Sequence, residues 1–130
     1  MEGRPPSETE PILVTQDLSL ADRRALARYR ARGRMWVHDR ARTKMIGEAC
    51  DIGLGGLRLM ATDPIPPARR YALSIEICID GIERPRIEVI ARCAWHRATP
   101  DRLFEAGFEF VEMLPKMRTR IMQFIDEFGF

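Results

Sequence analysis

The chain has 130 residues, 45% of them hydrophobic and 31% charged, with a formal net charge of +2. That length holds one domain with a real core and not two, and the composition is ordinary for a soluble globular protein. No apolar run approaches the roughly 20 residues that span a bilayer. The opening "MEGRPPSETEPILV" also lacks the basic-then-apolar order of a secretory signal. A cytoplasmic protein with no membrane insertion is expected.

Residues 1–16 carry Pro5, Pro6, Pro11, Ser7 and several glutamates. Such a stretch buries little apolar surface, which predicts a flexible acidic leader ahead of a domain over 17–130. In "DLSLADRRALARYRARG", Asp17 or Ser19 is placed to cap a short helix running through Ala27. Charge divides sharply here. Glu2, Glu8, Glu10, Asp17 and Asp22 stand against Arg4 alone up to position 22, whereas Arg23 to Lys44 holds nine basic residues and one acid, Asp39. An anionic partner explains the basic block, and so does a solvated surface with no partner. Gly33 then frees the chain before "RMWVH", which reads as the first strand.

"CDIGLGGLRL", residues 50–59, packs Gly53, Gly55 and Gly56 behind Asp51. Glycine lets a ligand or another chain approach the backbone, so a phosphate cradle, a turn between strands and part of a binding site all come into question. A dinucleotide fingerprint needs GxGxxG followed by a helix, but Arg58 stands where the third glycine belongs and "GLRLMA" reads as strand. No Gly-Lys-Ser/Thr follows, so a Walker A loop is excluded too. A plain turn or bulge and a shared binding site remain.

The period then becomes two. In "RRYALSIEICID", Tyr71, Leu73, Ile75, Ile77 and Ile79 share one face of a half-buried strand, closed by the hairpin pair Asp80-Gly81. In "IEVIARCAW", Ile87, Val89, Ala91, Cys93 and Trp95 alternate with Glu88, Ile90, Arg92 and Ala94. "ATPDR" supplies a turn, after which Phe104, Ala106, Phe108 and Phe110 alternate with Glu105, Gly107 and Glu109. "TDPIPPARR" is a proline-stiffened connection. After Pro115, the residues Met117, Ile121, Phe124, Ile125 and Phe128 mark one face of an amphipathic helix, placed to close an end or face of the sheet. About six short antiparallel strands and a terminal helix predict an all-β barrel or sandwich.

Catalytic and metal chemistry find little support. Cys50, Cys78 and Cys93 form no CxxC or Cys/His cluster and read as buried free thiols. His38 and His96 have no nucleophile pattern beside them, and His96 reads as a surface residue. The acids are read as scattered along exposed strand faces, with no pair set up for acid–base work. A binding protein rather than an enzyme is expected, with no metal. Six arginines fall within Arg23 to Arg34, and the arginine fork suits phosphate or a guanine edge. A barrel binding RNA or single-stranded DNA, with Tyr29 and Trp36 stacking, is disfavoured by the near-neutral total charge.

The arginine block and the glycine cluster combine in a known pattern. RxxxR, a strand, and [D/N]xSxxG after 20 to 30 residues is the signature of the PilZ domain, and this sequence resembles it. Arg24 and Arg28 match RxxxR, with Arg23 completing the arginine doublet, and Asp51, Gly53 and Gly56 occupy the second motif, with 22 residues between Arg28 and Asp51. Arg28/Arg32 and Arg30/Arg34 also read RxxxR but stand closer to Asp51 than the usual spacing. "VIARCAW" and "FEAGFEFVEM", with Gly107 and Phe110 as Gly-x-x-Phe, are similar to the family's later strands. The likeness covers about residues 20–128.

The resemblance implies a six-stranded antiparallel β-barrel with a C-terminal helix, a cyclic di-GMP ligand and output through a protein partner. It also implies that Arg23, Arg24 and Arg28 engage guanine edges and phosphates. Asp51 would accept from a guanine's N1–H and amino group, since an ionised carboxylate only accepts. Gly53 takes the place of the motif's serine. Losing that hydroxyl removes roughly 0.5–1.5 kcal/mol, up to about tenfold in affinity, and glycine adds about 0.5–1 kcal/mol of ordering cost. Weakened binding is expected; a degenerate member that binds no nucleotide and works only through protein contacts is the alternative.

Overall fold

The computed structural model describes residues 32–66 and 70–128. Within them lie strands β1 (Gly33–Asp39), β2 (Lys44–Ile52), β3 (Gly56–Ala61), β4 (Arg70–Ile79), β5 (Ile82–Glu83), β6 (Ile87–Ala98) and β7 (Phe104–Glu112), then helix α1 (Pro115–Phe128). The strands are ordered β1-β2-β3-β7-β6-β4-β5, and β1 also pairs with β4. That extra ladder, from Gly33↔Ile79 to Asp39↔Leu73, closes the six longer strands into an antiparallel barrel with no open edge among them. The expected six strands and terminal helix are all present.

The seventh strand, β5, was not legible in the sequence. Asp80 at φ 54° and Gly81 at φ 77° make a tight turn, whose twist matches a two-residue hairpin. Only Cys78↔Glu83 and Ile79↔Ile82 pair across it. Two residues are too few to carry an alternation.

Alternation works as expected along β4, where Tyr71, Leu73, Ile75, Ile77 and Ile79 are all buried. The Tyr71 and Phe108 rings meet edge to face at 5.5 Å. Along α1, Met117, Ile121, Phe124 and Phe128 are the buried stripe, and they join the same core as Leu73, Ile75 and Phe108. Fully burying one such side chain stabilises by roughly 1.5–3 kcal/mol, so the helix is held by its apolar stripe. Met117 also meets the start of β6, its Sδ accepting from the Glu88 N–H at 3.4 Å.

Antiparallel pairing decides which chain ends come together. Because β1 runs against both β2 and β4, the start of β1 lies at the barrel end where β2 finishes and β4 finishes. The β2–β3 turn is therefore at that end as well, and so are the close of β7 and the start of β6. Helix α1 packs at this end.

Of the four register shifts in the described ladders, two reshape the wall near the β2–β3 turn and Gly107. In β6, Cys93 stands opposite Phe108 but Trp95 stands opposite Gly107, with a register shift between them. Directly opposed residues share a face, so Cys93 points into the barrel with Phe108, while Trp95 is turned to the outer wall over Gly107. The burial alternation read from Ile87 to Trp95 holds, but the bulge inserts one residue and turns Trp95 to the other face. In β2, the shift between Ala49 and Asp51 does the same, placing Asp51 opposite Arg58 on the outer wall while Ala49 and Ile52 join the core.

Candidate functional site

The β2–β3 turn is short and well tied. The Gly53 N–H donates to the Gly56 carbonyl at 2.9 Å, and the Phe110 N–H donates to the Gly55 carbonyl at 2.9 Å, fastening the turn to β7. Gly53 is half-buried, Leu54 and Gly55 are exposed, and Gly56 is buried at the start of β3, opposite Glu109. Among the described residues, positive φ falls at Thr43, Asp80, Gly81 and Arg102. The turn glycines therefore do not serve a left-handed backbone; they place no side chain beside Asp51.

Asp51 and Arg58 face each other across the β2–β3 ladder. Both are buried, at 6% and 9% exposure. Arg58 Nη2 lies 3.4 Å from Asp51 Oδ2, and its Nη1 donates to Glu105 Oε2 at 3.0 Å. The other Glu105 oxygen accepts from Arg97, at 2.7 Å from Nε and 2.6 Å from Nη2. Two cations and two anions thus alternate over four strands, Asp51 on β2, Arg58 on β3, Glu105 on β7 and Arg97 on β6. Arg97 is exposed, but the other three charges are buried; such charges are tolerable only when mutually compensated, and removing one partner of a buried pair costs about 3–5 kcal/mol.

The same outer wall carries a row set by register. Asp51 opposes Arg58, Arg58 opposes Gly107, and Gly107 opposes Trp95. Trp95 is only 3% exposed although it lies outside the core. Gly107 makes this possible, because a Cβ there would fall on the Trp95 ring.

Of the residues expected to bind ligand, Asp51, Gly53 and Gly56 come together at one barrel end. Arg23, Arg24 and Arg28 lie outside the described residues, as do the expected leader and capped helix. Arg32 and Arg34, members of the competing RxxxR pairings, are engaged with Asp80 and Glu48 respectively. The expectation that the acids sit on exposed strand faces is corrected: Asp39, Asp51 and Glu105 are all buried. Asp39 is held there by accepting the Ala41 N–H at 3.0 Å, and Glu105 by its two arginines.

Arg58, Glu105 and Arg97 escaped the sequence reading. Arg58 alternates with Leu57 and Leu59, which marks the outer face. Its link to Glu105, 47 residues away, exists only once β3 and β7 pair.

The remaining titratable groups look structural. Cys93 is buried in the core, and burial pushes its thiol up to about 11. Cys50 is buried too, but Cys78 is half-buried rather than sealed as expected. His96, expected at the surface, is half-buried opposite Ala106, with no hydrogen-bond partner for its buried Nδ1 among the described residues. His38 Nε2 lies 3.0 Å from Glu76 Oε1. Among the described residues no cluster of three His, Cys, Asp or Glu side chains could hold a metal. No helix among them is long and apolar enough to cross a membrane.

Comparison with known proteins agrees with this architecture. No curated protein matches the chain by sequence. Among solved structures, the Bacillus subtilis inhibitor of motility MotI/DgrA is similar with a TM-score of 0.58 at 15% identity, over 74% of this chain and 46% of that one. This chain thus corresponds to less than half of that protein. The PilZ domain of Escherichia coli YcgR, solved with c-di-GMP, is similar at a TM-score of 0.53 and 14% identity, over 75% of this chain and 82% of that one. The PilZ domain of CeSA from a cellulose-synthesizing bacterium is similar at 0.52 and 14% identity, over 76% and 94%. At such identities the likeness establishes the fold. The PilZ domain family model matches residues 22–127 of the 130, and the chain belongs to the PilZ domain family.

Proposed function

We propose that this domain binds cyclic di-GMP between its N-terminal arginine segment and the β2–β3 turn, and signals by changing the surface it offers to a protein partner. In this reading Arg23, Arg24 and Arg28 engage phosphates and guanine edges, and Asp51 accepts from a guanine's N1–H and amino group. Gly53 and Gly56 keep the turn low enough for the ligand to lie against it. A ligand with two phosphates neutralises the arginine block and draws it to the barrel wall, which alters what a partner meets. The activity is regulatory, with no reaction catalysed.

The observation that carries this reading is the position of Asp51. It stands three residues beyond the last β1–β2 pair, Trp36↔Glu48, as Gly33 does on the neighbouring strand. The chain preceding β1 therefore arrives at the end of the barrel where Asp51 and the glycines are. A chain spans at most about 3.6 Å per residue, so Arg28 lies within about 18 Å of Gly33 in any conformation. The solved complex of the YcgR PilZ domain with c-di-GMP supports the choice of ligand.

Calorimetric titration with cyclic di-GMP, with GTP and cyclic di-AMP as controls, tests the proposal. Saturable heat with cyclic di-GMP alone supports it, and loss of that heat in Arg28→Ala and in Asp51→Ala assigns the site. Gly53 at the motif's serine position favours a second reading, a nucleotide-blind adaptor. That reading predicts no heat with any of the three.

A further inference from the structure

We infer that Arg58 is the positioning residue for Asp51, and that it fixes how sharply the site distinguishes guanine from a base lacking the amino group. This rests on the cyclic di-GMP reading above. Guanine presents N1–H and the exocyclic amino group as two parallel donors. A carboxylate takes both only when its plane is aligned with the base, yet the terminal torsion of an aspartate is broad and loosely defined. Something must hold it.

Arg58 is built to do so. It faces Asp51 across the ladder, with its Nη2 3.4 Å from Oδ2, and its side chain is only 10% exposed. Its own orientation is fixed from the other side, where Nη1 donates to Glu105 at 3.0 Å and Arg97 holds the second Glu105 oxygen. The two terminal nitrogens thus serve two different carboxylates on two different strands. A guanidinium's rigid fork fixes both directions at once; lysine's compact ammonium, with rotatable donors on a flexible stem, imposes no such geometry.

The cluster, buried except for Arg97, also explains why such a costly arrangement sits on an outer wall. A lone carboxylate at the end of β2 would need no buried arginine, and a plain surface ion pair would need no third and fourth member. Here each added charge immobilises the one nearer Asp51.

The test measures the affinities of cyclic di-GMP and of cyclic di-IMP, its analogue without the amino groups, for wild type, Arg58→Lys and Arg58→Met. Wild type is expected to prefer cyclic di-GMP by about tenfold or more, the value of a hydrogen bond to a charged group. In Arg58→Met that preference falls to within about threefold of unity, and Arg58→Lys lies between. A purely structural arginine would lower the melting temperature and leave the ratio unchanged, which would overturn the inference. So would tighter cyclic di-GMP binding by Arg58→Met, since Arg58 would then compete with the ligand for Asp51. If Arg58→Met does not fold, the ratio in Arg58→Lys decides on the same terms. Absence of cyclic di-GMP binding by the wild type overturns the functional reading itself, and this inference with it.

Discussion

Arg32 holds Asp80 with two nitrogens: Nη2 donates to Oδ2 at 2.7 Å, and Nε lies 3.1 Å from the same oxygen and 3.2 Å from Oδ1. The main chain repeats the link, the Asp80 N–H donating to the Arg32 carbonyl at 2.8 Å. Arg32 also reaches Glu127 at 3.5 Å and lies over the Phe128 ring, while Arg84 grips Glu127 at 2.8 Å. The residue just before β1 is thus latched to the β4–β5 turn and to the end of α1.

That latch has a pH signature. The Arg32 hydrogen bonds hold Asp80 below its ordinary value, and the Arg84 hydrogen bonds do the same for Glu127. A carboxylate depressed in the folded state stabilises above its unfolded pKa, and the contribution is lost as pH falls through the folded one. Asp80→Asn should therefore melt slightly below wild type at neutral pH. The gap should close as pH drops below about 4, where unfolded carboxylates protonate, and narrow with added salt. Thermal melts across pH 2–7 at two salt concentrations check this.

Gly107→Ala should destabilise the outer wall, because the new Cβ would fall on the Trp95 indole. Overpacking of this kind costs about 1–3 kcal/mol. Trp95 emission, read in a Trp36→Phe background, should shift as the ring is displaced. Urea unfolding gives the energetic half of the prediction, and unchanged stability with unchanged emission would count against the packing described.

Ile121, on the inner face of α1, is fully buried. Ile121→Ala should cost about 2–5 kcal/mol, the transfer loss plus the cavity left behind. Met122, exposed on the same helix, is the control: Met122→Ala should leave the unfolding free energy within about 0.5 kcal/mol of wild type.

Cys93 should resist alkylation in the native state at pH 8, whereas half-buried Cys78 should react first; mass spectrometry of the labelled protein separates them. The Cys93 thiol is raised by burial to about 11. A raised folded pKa means that the stabilisation is complete below the unfolded pKa, about 8.5, and is lost as pH rises through the folded one. Alkaline stability should consequently decline less in Cys93→Ala than in wild type between those limits.

Much of this barrel can be read from local periodicity, and the exceptions share one cause. The faces of β4 and α1 follow from period alone, because each buries one side against a single core. Trp95 defeats the same rule because one extra residue in β6 reverses the face, and only the pairing with Gly107 reveals it. Glu105 was legible as facing outwards; its burial was not, since that depends on Arg58 and Arg97 arriving from β3 and β6. Asp51, Gly53 and Gly56 could be singled out because their motif is contiguous. Arg58 sits two positions beyond it, and its meaning lies in a contact between distant strands.

Amide hydrogen exchange with and without cyclic di-GMP tests most directly whether the arginine segment and the β2–β3 turn form one site. The account predicts added protection in residues 23–28 and again in residues 50–56 at saturating ligand, both absent in Asp51→Ala. Unchanged exchange in both stretches, at a ligand concentration that saturates wild-type binding by calorimetry, would contradict it.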